Sequence, residues 1–374
     1  MFLQGFKGGS ETLSRILFLV NHDLTIYNFR FELVKKLISC GNEVFISSPN
    51  GEKIKYLTDI GCNFTETPVS RHGTNPFTDF KLFLIYLKLI KKIKPDVILS
   101  YTIKPNIYGG IAAFLNRTAF MPNVTGLGIA VENPGLMQRF IKLLYKAAFK
   151  HAACVFFQNC ENMLFFEKNR LYNGHRRILP GSGVNLGKFT PLKYPDTDEI
   201  NFVFVSRIMK DKGIEEYLEC AEYITEKYKN VNFHICGFCE DGYEERLKTF
   251  SDRKTVIYHG MVNDVREIYK ECCAIIHPSY HEGMSNVLLE ASACARACLC
   301  SDIVGCREIV DDGVTGFLFK AENTQSLISA VEKFLFLDAD KRLKMGLCAR
   351  AKVEKEFDRQ IVVDTYINEI NKII

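Results

Sequence analysis

The stretch Ala274-Ile-Ile-His-Pro-Ser-Tyr-His-Glu-Gly-Met-Ser-Asn-Val-Leu-Leu-Glu290 decides the fold. Ala274 to His277 is a short apolar run, as expected of a buried parallel strand. Gly283 permits a tight turn. Ser285 or Asn286 can cap the helix expected over Val287 to Ala295. Strand, turn and helix in immediate succession make one βα unit. The same alternation extends upstream. Asn201–Ser206 reads as a strand, Ile214–Tyr228 as a helix, and Val231–Cys236 as a strand ending at Gly237. Thr255–Tyr258 reads as a further strand and Val265–Glu271 as a helix.

The first half repeats the pattern. Strands are expected at Arg15–Val20, Glu43–Ser48 and Asp96–Ser100. Helices are expected at Tyr27–Ser39, Glu52–Ile60, 80–93 and Asn106–Leu115. Strands alternating with helices predict parallel sheets covered on both faces. The expectation is two doubly wound, Rossmann-like α/β domains facing a central cleft. An extension spans 1–14, a first domain 15–180 and a second 181–358, with the break near Pro180-Gly-Ser-Gly183. An amphipathic helix over 359–374 is expected to pack back on the first domain. In open α/β sheets, ligands bind outside the carboxyl ends of the strands, where the strand order reverses.

Composition agrees with a folded protein of this kind. The 374 residues are 47% hydrophobic and 25% charged, which excludes a mostly disordered or collagen-like chain. No apolar run reaches the roughly 18 residues of a spanning helix, and no secretory signal is visible. The 14 cysteines are scattered through apolar segments. They read as cytosolic thiols, not as a disulfide framework. Residues 1–180 carry 23 Lys+Arg and 12 Asp+Glu, a net of +11; residues 181–374 carry 25 and 32, a net of −7. A basic first half suggests an anionic partner.

Chemistry concentrates after the strands of the second half. The N–H groups of Met284 to Val287, at a positive helix end, form an anion site suited to a diphosphate. Glu290, one and a half turns into that helix, can reach ribose hydroxyls, and Glu282, before it, sugar hydroxyls. In Ser206-Arg-Ile-Met-Lys-Asp-Lys-Gly213, Arg207 and Lys212 can clamp both phosphates of a nucleotide diphosphate and stabilise its departure. Taken singly, each of these features reads as an ordinary capped turn or solvated charge.

Together the strings resemble the retaining glycosyltransferases of family 4, which have the two-Rossmann-domain GT-B fold. The resemblance is carried by Arg207 and Lys212, Gly237, the pair Glu282 and Glu290, and Ser301-Asp-Ile-Val-Gly-Cys-Arg-Glu-Ile-Val-Asp-Asp-Gly-Val-Thr-Gly-Phe-Leu318. It spans roughly residues 15–360. Ser100-Tyr-Thr-Ile-Lys-Pro-Asn-Ile-Tyr-Gly109 and Asn123-Val-Thr-Gly-Leu-Gly128 look like a bacterial subgroup that builds capsule, O-antigen and protein-glycan oligosaccharides on a polyprenyl diphosphate. That subgroup includes enzymes adding an N-acetylhexosamine, GalNAc or GlcNAc, from a UDP-sugar.

The resemblance implies that Arg207 and Lys212 bind the donor diphosphate, Glu290 the ribose and Glu282 the donor sugar. It places Gly237, Gly283 and the backbone around Met284, Ser285, Asn286 and Val287 at the donor, with Met261 and Val262 beside the base. Arg207, Lys212 and Glu282 would carry catalysis. Protein cations stand where other transferases use a metal, so neither metal nor cofactor is expected. The implied reaction is a same-face substitution in which the leaving diphosphate helps take the acceptor proton. The sequence departs from the family at His281, Cys294 and Ala297, where many relatives have Arg, Gly and Pro. Asn21-His-Asp-Leu-Thr-Ile-Tyr-Asn-Phe-Arg30 replaces the usual glycine-rich loop, so that loop is expected to serve the acceptor instead. His22, Arg30, Lys104 and Asn106 are the acceptor-side candidates. Arg30 and Lys104 read either as partners of a lipid diphosphate or as solvated cations. His22 reads either as an acid–base group or as a hydrogen-bonded structural histidine.

Arg139, Lys142, Lys146 and Lys150 recur at steps of three and four beside Phe140, Leu143, Leu144 and Ala147, and Lys81, Lys88 and Lys92 make a similar stripe. Basic amphipathic helices lie on anionic bilayers. The expected location is cytoplasmic, peripheral at the inner face of the cell membrane. No zinc spacing or RNA-binding aromatic motif points to nucleic acid. Two other readings share the architecture: a UDP-sugar 2-epimerase, and a non-catalytic nucleotide-sugar-binding protein.

Overall fold

The computed structural model describes residues 13–69, 75–126, 135–240 and 242–374. Most of the expected extension at 1–14 lies outside them, as do Leu127 and Gly128 of the second first-half motif. The chain divides into two units, Met1–Ile178 with Val363–Ile374, and Leu179–Val362. The last helix, Arg359–Ile370, begins in the second unit and ends in the first.

Among the described residues, the first unit holds seven strands: β1 (Arg15–Leu19), β2 (Glu43–Ser48), β3 (Asn63–Glu66), β4 (Val97–Tyr101), β5 (Ala119–Val124), β6 (Val155–Phe157) and β7 (Arg176–Ile178). They form one sheet in the order β3-β2-β1-β4-β5-β6-β7, with every pairing parallel. The second unit holds β8 (Ile200–Val205), β9 (Val231–Cys236), β10 (Ile257–Tyr258), β11 (Ala274–His277), β12 (Ala297–Ser301) and β13 (Gly316–Phe319). Their order is β10-β9-β8-β11-β12-β13, also all parallel. Central strands such as Ile16–Leu19, Val97–Tyr101 and Ala274–His277 are buried throughout. Helix-covered parallel sheets require such continuous burial. The order reverses between β1 and β4 in one unit and between β8 and β11 in the other. These are the two places where a carboxyl-edge crevice forms. All 14 cysteines are free thiols.

Three elements differ from expectation. The helix expected over Tyr27–Ser39 is two helices, Asp23–Phe29 and Phe31–Ser39, separated by Arg30 at φ −136°. The break follows from where the Arg30 guanidinium goes. It is buried between rings, 4.9 Å from the centre of Tyr101 and 5.7 Å from that of Tyr366. The helix expected from Asn106 starts as a wide π turn, Pro105–Gly109, before an α-helix over Gly110–Asn116. Asn106 is drawn down into the sheet there, accepting from Ser100 Oγ at 2.7 Å and donating to the Asn123 carbonyl at 2.8 Å. Close packing at Gly109 and Gly110 leaves no room for a Cβ, which would lie 2.6 Å from Leu19 and 2.7 Å from the Ala148 carbonyl. The strand expected at Thr255–Tyr258 shrinks to Ile257–Tyr258. It is an edge strand, and short edges are the usual protection against stray pairing.

The end of the chain is tied to the first sheet. Asn123 Nδ2 donates to Tyr366 Oη at 2.7 Å. Glu369, with its side chain only 4% exposed, meets His175 Nε2 at 2.7 Å, Arg177 Nε at 2.7 Å and Lys372 Nζ at 2.8 Å. Burial alone would push this carboxyl up, but those three donors hold it at about 2. Its stabilising effect is therefore present above the ordinary carboxylate range and lost only as the pH falls towards about 2. Glu369→Gln should lower the stability of the first unit by about 2 kcal/mol at neutral pH. The check is the urea midpoint of that unit's transition; an unchanged midpoint would show that the cluster is not an anchor.

Candidate active site

In the second unit the loops after β8 and β11 meet at the strand-order reversal. Gly213 ends the first loop at φ +73°; a Cβ there would lie 2.0 Å from the Pro278 carbonyl oxygen. Gly237 ends β9 at φ +146°, and a Cβ on it would lie 1.7 Å from the Ser206 carbonyl oxygen. Only glycine fits either position. These close approaches put Lys212 against the β11 loop. Its Nζ lies 2.7 Å from Glu282 Oε1, 3.4 Å from Ser279 Oγ and 3.5 Å from the His281 carbonyl. Arg207, which is half-exposed, turns the other way, its Nη1 3.2 Å from both carboxylate oxygens of Glu240.

The helix Asn286–Ala293 starts beside this pair, capped by Ser285, whose Oγ accepts from Leu288 N at 3.4 Å. The expectation of four free N–H groups from Met284 to Val287 needs correction. Ser285 N–H already donates to the Gly305 carbonyl at 2.9 Å, because the loop after β12 packs under the turn. Asn286 and Val287 begin the helix, where N–H groups have no intrahelical acceptor. Met284 contributes backbone only. Its side chain is buried, in contact with Gly181. Met261, well exposed, and Val262, half-buried, follow Gly260, whose carbonyl takes the Gly237 N–H at 2.9 Å.

The two glutamates differ in electrostatics. Burial would raise Glu282, but the hydrogen bond and charge of His277, with Lys212, hold it down at about 2. Burial pushes Glu290 up to about 7, only partly opposed by Lys188 and Arg359. One carboxylate is thus firmly ionised and the other is poised near neutrality. Sequence reasoning missed His277, Ser279, Glu240 and Gly305. A histidine ending an otherwise apolar strand was a usable signal. Nothing local marked Glu240 as the partner of Arg207.

In the first unit the acceptor-side candidates are all engaged. His22 caps the helix Asp23–Phe29; its Nδ1 lies 3.1 Å from Leu24 N and 2.6 Å from Asp23 Oδ1. Lys104 Nζ pairs with Asp79 Oδ1 at 2.8 Å, and Tyr108 Oη donates to Asp79 Oδ2 at 3.0 Å. His22 and Lys104 lie in the segments following β1 and β4, at the reversal. Arg30 and Asn106 are buried. Neither is a solvated cation or a surface amide, and both brace the frame beneath that edge.

The helix Leu136–Phe149 has three faces. Tyr145, Ala148 and Phe149 are buried. Leu136, Met137, Phe140 and Leu143 are exposed, Leu136 at 84%. Arg139, Lys146 and Lys150 are exposed alongside them, while Lys142 lies over the Phe165 ring. The apolar residues beside the basic stripe are thus largely uncovered. On the helix Pro76–Ile93, Phe77, Phe80 and Leu84 are exposed with Lys81 and Lys88. No helix among the described residues is long and apolar enough to cross a membrane.

One group among the described residues has the makings of a metal site: Cys154, His175 and Glu369. Arg177 and Lys372 already neutralise Glu369, and burial pushes the Cys154 thiol up to about 12. A thiol held protonated beside two cations is a poor cation ligand.

Residues 15–159 match the family model for glycosyl transferase 4-like domains, and residues 193–352 that for glycosyl transferases group 1. An N,N'-diacetylbacillosaminyl-diphospho-undecaprenol alpha-1,3-N-acetylgalactosaminyltransferase of Campylobacter jejuni is 29% identical over 379 residues, covering 96% of this chain and 99% of that protein. A UDP-Gal:alpha-D-GlcNAc-diphosphoundecaprenol alpha-1,3-galactosyltransferase of Escherichia coli is 29% identical over 313 residues, covering 76% and 78%. In fold, the chain is similar to HepE of Anabaena, solved with UDP and glucose, at a TM-score of 0.79 and 16% identity over 96% of this chain and all of that one. With one model on each half of the chain, this protein belongs to the GT-B glycosyltransferases that join a 4-like first domain to a group 1 second domain.

Proposed function

We propose that this glycosyltransferase moves an N-acetylhexosamine from a UDP-sugar to a sugar linked to polyprenyl diphosphate, with retention at the anomeric carbon. The carrying observation is the Lys212–Glu282 pair at 2.7 Å beside the start of the helix Asn286–Ala293. It sets a cation for the diphosphate and a carboxylate for the sugar side by side. In this reading Arg207, Lys212 and the first helical N–H groups hold the diphosphate and stabilise its departing charge without a metal. Glu290 takes the ribose hydroxyls, and Met261 and Val262 flank the base. Lys104 and His22 face the acceptor, with Arg30 and Asn106 supporting their segments. The leaving diphosphate accepts the acceptor's proton on the same face of the sugar. Likeness to the Campylobacter enzyme along nearly its whole length supports an N-acetylgalactosamine donor and an undecaprenyl-diphosphate acceptor. It disfavours the epimerase and the non-catalytic alternatives. The uncovered apolar row Leu136, Phe140 and Leu143, flanked by Arg139, Lys146 and Lys150, supports docking on an anionic bilayer at the inner face of the cell membrane.

The deciding experiment is UDP release from a panel of UDP-sugars, with and without polyprenyl-diphosphate-linked acceptors. Release that needs both UDP-N-acetylgalactosamine or UDP-N-acetylglucosamine and a lipid-linked acceptor is expected. Release with neither acceptor dependence nor N-acetylhexosamine preference would reject the reading. Glu282→Ala should mainly impair transfer, whereas Glu290→Ala should weaken binding of UDP itself.

Glu290 also sets a pH dependence. Ribose hydroxyls donate best to the ionised carboxylate, and the free protein holds that carboxyl at about 7. Affinity for UDP-N-acetylgalactosamine, whose diphosphate does not titrate in this range, should rise about tenfold from pH 6 to 8. Glu290→Gln should flatten the slope in calorimetric titrations; a slope that survives the substitution assigns it to another group.

For the membrane face, charge reversal of Arg139, Lys142, Lys146 and Lys150 to Glu should cut sedimentation with phosphatidylglycerol vesicles at low salt. Phe140→Ser with Leu143→Ser should cut it at high salt too. Unchanged sedimentation in both would dismiss this helix as the contact.

A further inference from the structure

His277 ends β11 after three apolar residues and is 2% exposed. Packing alone would be served there by a leucine or valine, so the bonds its ring makes must account for a buried imidazole. Its Nε2 lies 3.1 Å from Glu282 Oε1 and 3.1 Å from Ser285 Oγ. Its Nδ1 is buried without a partner among the described residues. An ionised carboxylate only accepts hydrogen bonds, so Nε2 is the donor to Glu282.

One N–H therefore serves two partners with different duties. Ser285 caps the helix whose first N–H groups are read above as the diphosphate site. Glu282 is read above as the donor-sugar carboxylate. Lys212 Nζ reaches the same oxygen, Oε1, at 2.7 Å. Both donors thus converge on Oε1, and Oε2 takes no hydrogen bond from the described residues. A carboxylate anchored through one oxygen presents the other in a set direction.

We propose that His277 is a positioning residue for the transfer reaction: its Nε2–H locks Glu282 Oε1 to the helix cap at Ser285, leaving Oε2 aimed at a hydroxyl or amide of the donor sugar. This rests on the reading of Glu282 as the sugar-binding carboxylate. Lys212 can hold Oε1 by charge but not by direction, because its flexible stem swings with whatever phosphate it meets. The imidazole is rigid and buried, so its bond survives the arrival of the diphosphate. Loss of His277 should therefore cost alignment and leave nucleotide affinity in place.

The test uses the full chain with His277→Leu, which removes the donor, and His277→Gln, whose side-chain amide places an N–H₂ near the Nε2 position. The probes are UDP and UDP-N-acetylgalactosamine for binding, and the latter with undecaprenyl-diphosphate-linked N,N'-diacetylbacillosamine for transfer. His277→Leu should lower kcat about 100-fold, the scale of a misplaced reacting group, with the Kd for UDP changed less than about threefold. His277→Gln should recover most of the loss. On a Glu282→Ala background, His277→Leu should cause no further loss, since the two act as one unit. Wild-type turnover in His277→Leu, equal impairment in Leu and Gln variants, or multiplicative losses with Glu282→Ala would each overturn the proposal. If Glu282→Ala itself transfers normally, the donor-sugar reading fails. If Glu282→Ala is impaired and His277→Leu is not, only the positioning role fails.

Discussion

The ion pair between Lys212 and Glu282 is the constraint on which the second unit's site depends. Two loops that follow different strands must approach within hydrogen-bonding distance. They do so because Gly213 has no Cβ to strike the Pro278 carbonyl, which would lie 2.0 Å away. Both side chains are 16% exposed. The pair is therefore worth more than a surface salt bridge, near 0–1 kcal/mol, and removing one partner approaches the ~3–5 kcal/mol of a broken buried pair. A substitution at Gly213 would act on chemistry by pushing the cation and the carboxylate apart, though glycine itself touches nothing reactive.

The same logic places the pair where it is. Each sheet grows outward in two directions from its central strands, so the strand order reverses between β8 and β11, and the loops that meet there line the crevice at the carboxyl edge. Continuous apolar runs made most of this legible in the sequence. β2, β9 and β11 fall on the residues expected for them, because each is built round a short apolar run that the buried sheet requires. The elements that moved did so through side chains reaching outside their own segment. Arg30 breaks a helix by burying its guanidinium between Tyr101 and Tyr366, from β4 and the last helix. Asn106 widens a helical turn to reach β5. Neither partner is near in sequence, so local periodicity carries no trace of them.

The site was legible to the same degree. Arg207, Lys212, Glu282 and Glu290 stand in strings whose residue types have few other uses, and the structure brings Lys212 and Glu282 together. What those strings could not convey is occupancy. Lys212 is neutralised by Glu282, Arg207 by Glu240 and Lys104 by Asp79. In the proposed function, a diphosphate arriving at Arg207 or Lys212 would compete with a carboxylate already in place, so its net gain would be smaller than a free cation gives. Exposure was equally hidden. Heptad-like spacing of Leu136, Phe140 and Leu143 suits a buried face as well as an open one, and only the positions of Tyr145, Ala148 and Phe149 show which face the sheet covers.

The two glutamates bear on mechanism. One carboxyl near 2 and another near 7 is, taken alone, the signature of a retaining hydrolase, with an ionised nucleophile beside a protonated acid. Geometry argues against carrying that assignment over. A nucleophilic oxygen must be free to form a bond, and Glu282 Oε1 is held by Lys212 and His277. Glu282 Oε2 belongs to a carboxylate stabilised well below its ordinary range, which lowers its nucleophilicity. Glu290 sits four residues past the start of the helix Asn286–Ala293, about 6 Å along its axis at 1.5 Å per residue. If the proposed diphosphate site is at the helix start, that offset suits a contact on the ribose side and not at the anomeric carbon. The proposed function accounts for the divergent carboxyls by ligand binding: an ionised group that keeps its charge beside Lys212, and a near-neutral group that would ionise when hydroxyls replace the water it lost on burial. Under the proposed function, with both so committed, the departing diphosphate is the base left near the acceptor hydroxyl, and the proposed substitution on one face needs no covalent intermediate.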